Sequence, residues 1–282
     1  MKPGEGYTSS RAYLSIGHLK NAAHFARLTG EVERRKRFVW GTIKPHDAYA
    51  MGAVLSSVAF VEAAVNEVYA DAADDSHPME VMRIIGEGYA KWMPEELRGL
   101  LAGLWNTQRW RMTASTLDKY QVALGFAGAE RFDPGAAPFQ DVRLLIQLRN
   151  ALVHFEPTSH HEGISEPMRL ERSLAGRFPL NPLAAFPVGS RPDDPVVPFL
   201  PDRCLGHGCA LWALRSSVAF TQEFFARMDL EAHHSGRLPE MALQYASMLS
   251  LEGIAERYGT SPEHLVEHPV EHPPESGGRN FE

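Results

Sequence analysis

Cysteine is scarce: Cys204 and Cys209 are the only two in 282 residues. So few cannot build a disulfide framework. Long apolar runs are missing as well. The longest, Ala53 to Val65, is short and broken by Glu62, so we expect no membrane span. Met1-Lys2-Pro3-Gly4-Glu5-Gly6 leads into no apolar signal core. A soluble cytoplasmic protein is the expectation. Positive charge is short, with 28 basic residues against 35 acidic and a formal net charge of −7. That balance argues against a broad, sequence-independent nucleic-acid surface, although not against a local basic cleft. Lysine is the scarcer cation, 22 of the 28 basic residues being arginine. No repeat of domain-building length occurs.

What is present is helical periodicity. Residues 11–37 are rich in helix formers, with Gly17 and Gly30 as expected interruptions. Pro45-His46-Asp47 opens a long helix to about Ala70, whose Met51, Val54, Leu55, Val58, Val61, Val65 and Val68 keep helical spacing. A stretch from Met79 to Trp105 is broken near Gly86, Gly88 and Pro94. Ser115-Thr116-Leu117-Asp118 starts a helix ending near Gly125 or Gly128. Another begins near Pro138. Residues 156–203 carry nine prolines, and only Pro167 to Leu174 suggests a short helix. Long irregular segments of this kind are commonly functional lids or mobile chain. Helix returns from Cys209 to Met228 and from Pro239 to Tyr258. We therefore expect an all-α bundle with a long proline-rich insertion: an N-terminal helical extension over 1–44, a helical domain over 45–230 with its insertion at 156–203, and a C-terminal helix and tail over 231–282.

The most informative stretch is Arg149-Asn150-Ala151-Leu152-Val153-His154, which closes the helix starting near Pro138. Val142, Leu145, Ile146, Leu152 and Val153 trace an apolar stripe with Arg149 in its middle. A guanidinium there needs a partner. Glu62 is the matching oddity, lying in an apolar stripe between Val58 and Val65, with Asn66 one turn on. Two helices that each place one charge of opposite sign on a buried face invite a pair between them. A purely structural Glu62–Arg149 pair accounts for this spacing as well as a catalytic one does, with His154 as an ordinary helix-end histidine favoured by the macrodipole. An always-charged guanidinium and a histidine titrating near neutrality are also what phosphodiester chemistry requires.

Leu148 to Phe155 resembles the motif helix of HEPN-domain ribonucleases, an arginine, a polar residue and then a histidine. Ser57 to Glu67 resembles the early helix that packs on it. Leu117-Asp118-Lys119-Tyr120 through Phe155, and more loosely Arg177-Phe178-Pro179 through Phe225, are similar to uncharacterised bacterial members of the group, so the resemblance spans roughly residues 48–228. It implies a HEPN-like helical bundle and a metal-independent endoribonuclease of a toxin or anti-phage defence setting, needing no cofactor. On that resemblance the ribose 2′-hydroxyl attacks the adjacent phosphate and His154 moves a proton. Arg149 stabilises phosphoryl charge, Asn150 orients His154 or holds a phosphate oxygen, and Glu62 fixes Arg149. Five residues at helical rotation put Arg149 and His154 about 140° apart, and the family builds its cleft across a two-fold dimer. The implied partners are RNA, a second copy of the chain, and an antitoxin or defence-system protein.

Other features yield weaker expectations. Arg34-Arg35-Lys36-Arg37, followed by Phe38 and Trp40, could hold single-stranded RNA by charge and stacking, although a solvated helix end is the commoner outcome. Cys204-Leu205-Gly206-His207-Gly208-Cys209 offers three soft ligands without a fourth, so we expect a glycine-flanked helix start with small buried thiols rather than a metal site. The two H-x-x-E-H strings at His264–His268 and His268–His272 resemble an inverted zinc-protease motif, but Pro269, Pro273 and Pro274 disrupt the helix it needs. Leu251 to Leu265 is similar to part of a helix-turn-helix. The alternatives to cleavage are therefore a non-catalytic HEPN module binding nucleotides or protein, and a DNA-binding regulator using that C-terminal segment.

Overall fold

The computed structural model describes residues 12–35, 44–74, 93–156, 169–184, 197–230 and 238–247. Every regular element among them is helical: α1 (Ser15–Arg35), α2 (Lys44–Ala72), α3 (Glu95–Asn106), α4 (Gln108–Thr113), α5 (Thr116–Phe126), α6 (Phe139–Val153), α7 (Arg169–Leu174), a turn over Phe199–Arg203, α8 (His207–Arg227) and α9 (Leu238–Ser247). The all-α expectation holds among the described residues.

Helix α2 is the axis of the bundle. Its apolar positions point nearly all round, as a helix enclosed on several sides requires. Val54, Val58, Val61, Val65 and Val68 are buried, and α1, α3, α5, α6 and α8 all pack on it. By length and composition alone, His46–Ala72 is apolar enough to cross a membrane. Here it is the core helix. Helix α1 runs unbroken through Gly17 and Gly30, contrary to expectation, because Leu19, Ala22, Ala23 and Ala26 lock it along α2. Packing overrides the cost of a glycine of about 1 kcal/mol. Helix α1 thus shares the core of the following helices.

The main core gathers Leu19, Val61, Val65, Tyr69, Leu101, Tyr120, Phe220 and Phe224. Tyr120 meets Phe220 and Phe224 edge-on, each with centroids 4.6 Å apart, an arrangement favoured by the ring quadrupoles. Two buried tyrosines cross-tie α2 to α5. Tyr69 donates to the Lys119 carbonyl at 2.9 Å, and Tyr120 donates to the Val61 carbonyl at 2.8 Å. Burial raises both phenols far above their ordinary range, so each stays a donor. Ser115 caps α5 as expected, its Oγ accepting from the Asp118 N–H at 3.1 Å.

A second core joins Val54 and Val58 of α2 to Leu144, Leu145 and Leu148 of α6, and to Leu174, Phe178, Phe199 and Leu200. The last four belong to the proline-rich insertion. Its described parts are therefore packed structure and not a lid: buried apolar residues at intervals anchor a chain that prolines keep from forming long helices. Arg177 adds an ion pair to Asp141 and a 2.8 Å hydrogen bond to Gln140, at the start of α6.

Candidate functional site

The site is built on one face of α2. Glu62 and Asn66 lie one helical turn apart and so share that face. Helix α6 crosses α2 here, holding Phe139, Val142, Leu144, Leu145 and Leu148 in the core. That packing brings Arg149 to Glu62, and Arg149 Nη2 donates to Glu62 Oε1 in an ion pair. The Arg149 and Glu62 side chains remain 25% and 37% exposed, so the pair is half-open and not sealed. Thr116 Oγ1 at the start of α5 lies 3.4 Å from the same carboxylate oxygen, a long and weak contact. Arg149 Nε is buried and has no hydrogen-bond partner.

Asn66 holds a residue that sequence reasoning passed over. Lys119 Nζ donates to Asn66 Oδ1 at 2.9 Å. Lys119 is 7% exposed, rare for a lysine. The Tyr69 hydrogen bond to its carbonyl and the Tyr120 hydrogen bond beside it fix its backbone against α2. Desolvation lowers its pKa, the Glu62 charge opposes that shift, and Arg111 reinforces it. Trp105 lies near both cations, 5.9 Å from Lys119 Nζ and 5.5 Å from Arg111 Cζ, at cation–π range. The signal was in the sequence. Lys119 stands four residues before Ala123, on the face that buries Tyr120, Ala123 and Leu124.

Asn150 and His154 lie elsewhere. Both are exposed at the end of α6, one turn apart, where the His154 N–H closes the helix on the Asn150 carbonyl at 2.9 Å. Neither side chain has a hydrogen-bond partner among the described residues. The structure therefore joins Arg149, Glu62, Asn66 and Lys119 in one cluster and leaves Asn150 and His154 on another face of the same helix. Val153, expected on the apolar stripe, is 53% exposed, because burial along α6 fades past Leu148. Phe155 beside His154 is 47% exposed.

The remaining candidates disperse. Arg34 is half-buried in the last turn of α1, which is not a fully solvated helix end. Arg35 ends that helix, and Lys36, Arg37, Phe38 and Trp40 lie outside the described residues, as do the H-x-x-E-H strings and the helix-turn-helix-like segment. Cys204 and Cys209 are buried thiols with sulfurs 3.9 Å apart, and His207 Nδ1 bonds the Ala26 carbonyl at 2.8 Å. The glycines between them serve packing. A Cβ on Gly208 would meet the Pro179 carbonyl at 2.4 Å, and one on Gly206 would meet Asn181 Cα at 2.8 Å. Both let the insertion backbone press against the start of α8.

Comparison of the chain with family models, with curated proteins and with solved structures gives no match.

Proposed function

We propose that the protein is a metal-independent endoribonuclease of the HEPN type, acting as a toxin or defence effector and working as a homodimer on RNA. The observation that carries this reading is the Glu62–Arg149 pair: an arginine held half-open by α2, on the same helix end as an unencumbered histidine. In the proposed reaction a ribose 2′-hydroxyl loses its proton to His154 and its oxygen attacks the adjacent phosphorus. The bond from phosphorus to the 5′-oxygen breaks, and that oxygen takes up a proton from solvent water. Arg149 offsets charge on the non-bridging oxygens. The products are a 2′,3′-cyclic phosphate and a 5′-hydroxyl.

The offset of about 140° between Arg149 and His154 along one helix is what the dimer answers. A two-fold partner presents a second copy of each group across the axis. Exposed Val153 and Phe155, flanking His154, supply apolar area for such a contact. The test is cleavage of mixed RNA in EDTA, with end-group analysis and a verified folded His154→Ala control. Activity retained by that variant, or cleavage of a substrate with 2′-deoxyribose at the cut position, removes the reading. A HEPN module that binds nucleotides without cutting is the second reading, favoured by the absence of any side chain orienting the His154 ring among the described residues.

A further inference from the structure

We infer that Lys119 is a second phosphate-holding cation of this site, acting with Arg149 on the phosphodiester of a bound RNA strand. The inference rests on the ribonuclease reading for its substrate, but on the geometry of α2, α5 and α6 for its location.

The charges in the cluster do not balance. Arg149 and Lys119 converge on Glu62 and Asn66, and Arg111 is near enough to depress the Lys119 ammonium. Among the described residues Arg149 and Lys119 face the Glu62 carboxylate, with Arg111 near Lys119, on a chain whose net charge is −7. Structural pairs are normally close to neutral, because an uncompensated buried charge is costly. The hydrogen-bonding capacity is also unspent. An ammonium carries three donors, and Lys119 uses one of them on Asn66. Arg149 Nε is buried and unpaired. Unused donors on two cations, beside a part-exposed carboxylate, suit an anion with several acceptor oxygens. A phosphodiester group has that character.

The support beneath Lys119 fits a binding group better than an incidental one. Tyr69 and Tyr120 tie its helix to α2 through buried hydrogen bonds, which fix the backbone from which the Lys119 side chain reaches Asn66. Asn66 is neutral and cannot compensate the charge. Its oxygen keeps Lys119 in position and leaves the charge available. Arg111, exposed and 5.5 Å from the Trp105 ring, extends the positive field toward solvent.

The test uses the full-length protein and a labelled 2′-O-methyl RNA oligonucleotide, which binds but lacks the attacking hydroxyl. Binding is followed by anisotropy across a salt series. Lys119→Met is expected to weaken binding at least tenfold. It should also reduce the slope of log affinity against log salt by about 0.7, the value for one phosphate contact to a single strand. Lys119→Arg should recover most of the affinity. Arg143→Met, at an exposed position on α6, should change neither quantity. If Lys119→Met does not fold, Lys119→Gln retains a hydrogen bond to Asn66 and must show the same loss. Equal affinity and slope in a folded Lys119 variant, or no binding by the unaltered protein, overturns the inference. Binding that depends on Lys119 in a protein that cuts no RNA keeps the inference and removes the ribonuclease reading. Cleavage with no dependence on Lys119 does the reverse.

Discussion

Two polar clusters cross-link this bundle, and they are built to opposite rules. At one end, Glu33 of α1 accepts from His46 Nε2 at 2.9 Å and from the His207 N–H at 2.6 Å, while His46 Nδ1 lies 3.2 Å from Asp47. His46 is fully buried, and the carboxylate sits at the N-terminus of α8, where the helix dipole favours it. At the other, Glu62 and Arg149 are partly open beside a buried Lys119, two cations face the Glu62 carboxylate, and Arg149 Nε has no hydrogen-bond partner. Paired and enclosed charges hold three helices together. Unbalanced charges at a rim cost stability and persist where a ligand completes them. On the proposed function, the contrast is that between a structural network and a binding one within a single fold.

The comparison breaks most visibly in activity. His154→Ala and Arg149→Ala are expected to reduce RNA cleavage by about 10²–10⁴-fold, the range for losing a proton-transfer group or a charge-stabilising donor. Cleavage rates on folded protein check this. A changed rate from His46→Gln as large as that from His154→Ala would show that the wrong cluster had been assigned to the chemistry.

The enclosed cluster should dominate stability instead. Glu33→Gln removes the charge that holds His46 and receives the α8 N–H group, and should cost about 2–4 kcal/mol in denaturant unfolding, as for breaking a buried pair. Cleavage by the remaining folded protein should be unchanged. A loss below that of a surface substitution would mean the cluster is not a structural tie.

Much of this was legible in the sequence, for reasons that differ by residue. The α2 and α6 periodicities were plain because apolar spacing reports burial directly. The Glu62–Arg149 pair followed from two charges that each interrupt such a stripe. Lys119 was passed over because α5 is short and a lone lysine gives no signal of its own, although its spacing to Ala123 placed it on the core face. The His46–Glu33–His207 cluster joins residues up to 174 positions apart, and no local pattern encodes that. The packing of the insertion was hidden for a related reason: its anchors Leu174, Phe178, Phe199 and Leu200 are too widely spaced to form a period.

A pH titration sharpens the contrast further. Burial lowers the His46 pKa, but hydrogen bonds to Asp47 and Glu33, with their charges, outweigh it and raise the group from 6.5 to about 9. A histidine whose pKa is raised by folding contributes stability that is complete below the unfolded value and lost as pH rises through the folded one. Unfolding free energy should therefore fall between pH 6.5 and about 9 by at most about 3 kcal/mol. His46→Gln should flatten this dependence. A slope of the same size in that variant would assign the effect to another group.

The smallest expected effect is the most discriminating. Glu62→Gln removes the carboxylate that Arg149 and Lys119 face, yet Glu62 and Arg149 are both substantially exposed. Solvent already screens that pair, so its loss should cost about 1 kcal/mol or less in unfolding free energy. Cations relieved of that counter-charge bind an anion at least as well as before, so affinity for 2′-O-methyl RNA should not fall. Arg149 loses its anchor at the same time, and cleavage should slow because the guanidinium is no longer held toward α2. Stability and binding preserved with cleavage reduced is the signature of a positioning carboxylate. A loss of stability as large as that from Glu33→Gln would instead make the two clusters alike, and the charge surplus at Lys119 a structural feature.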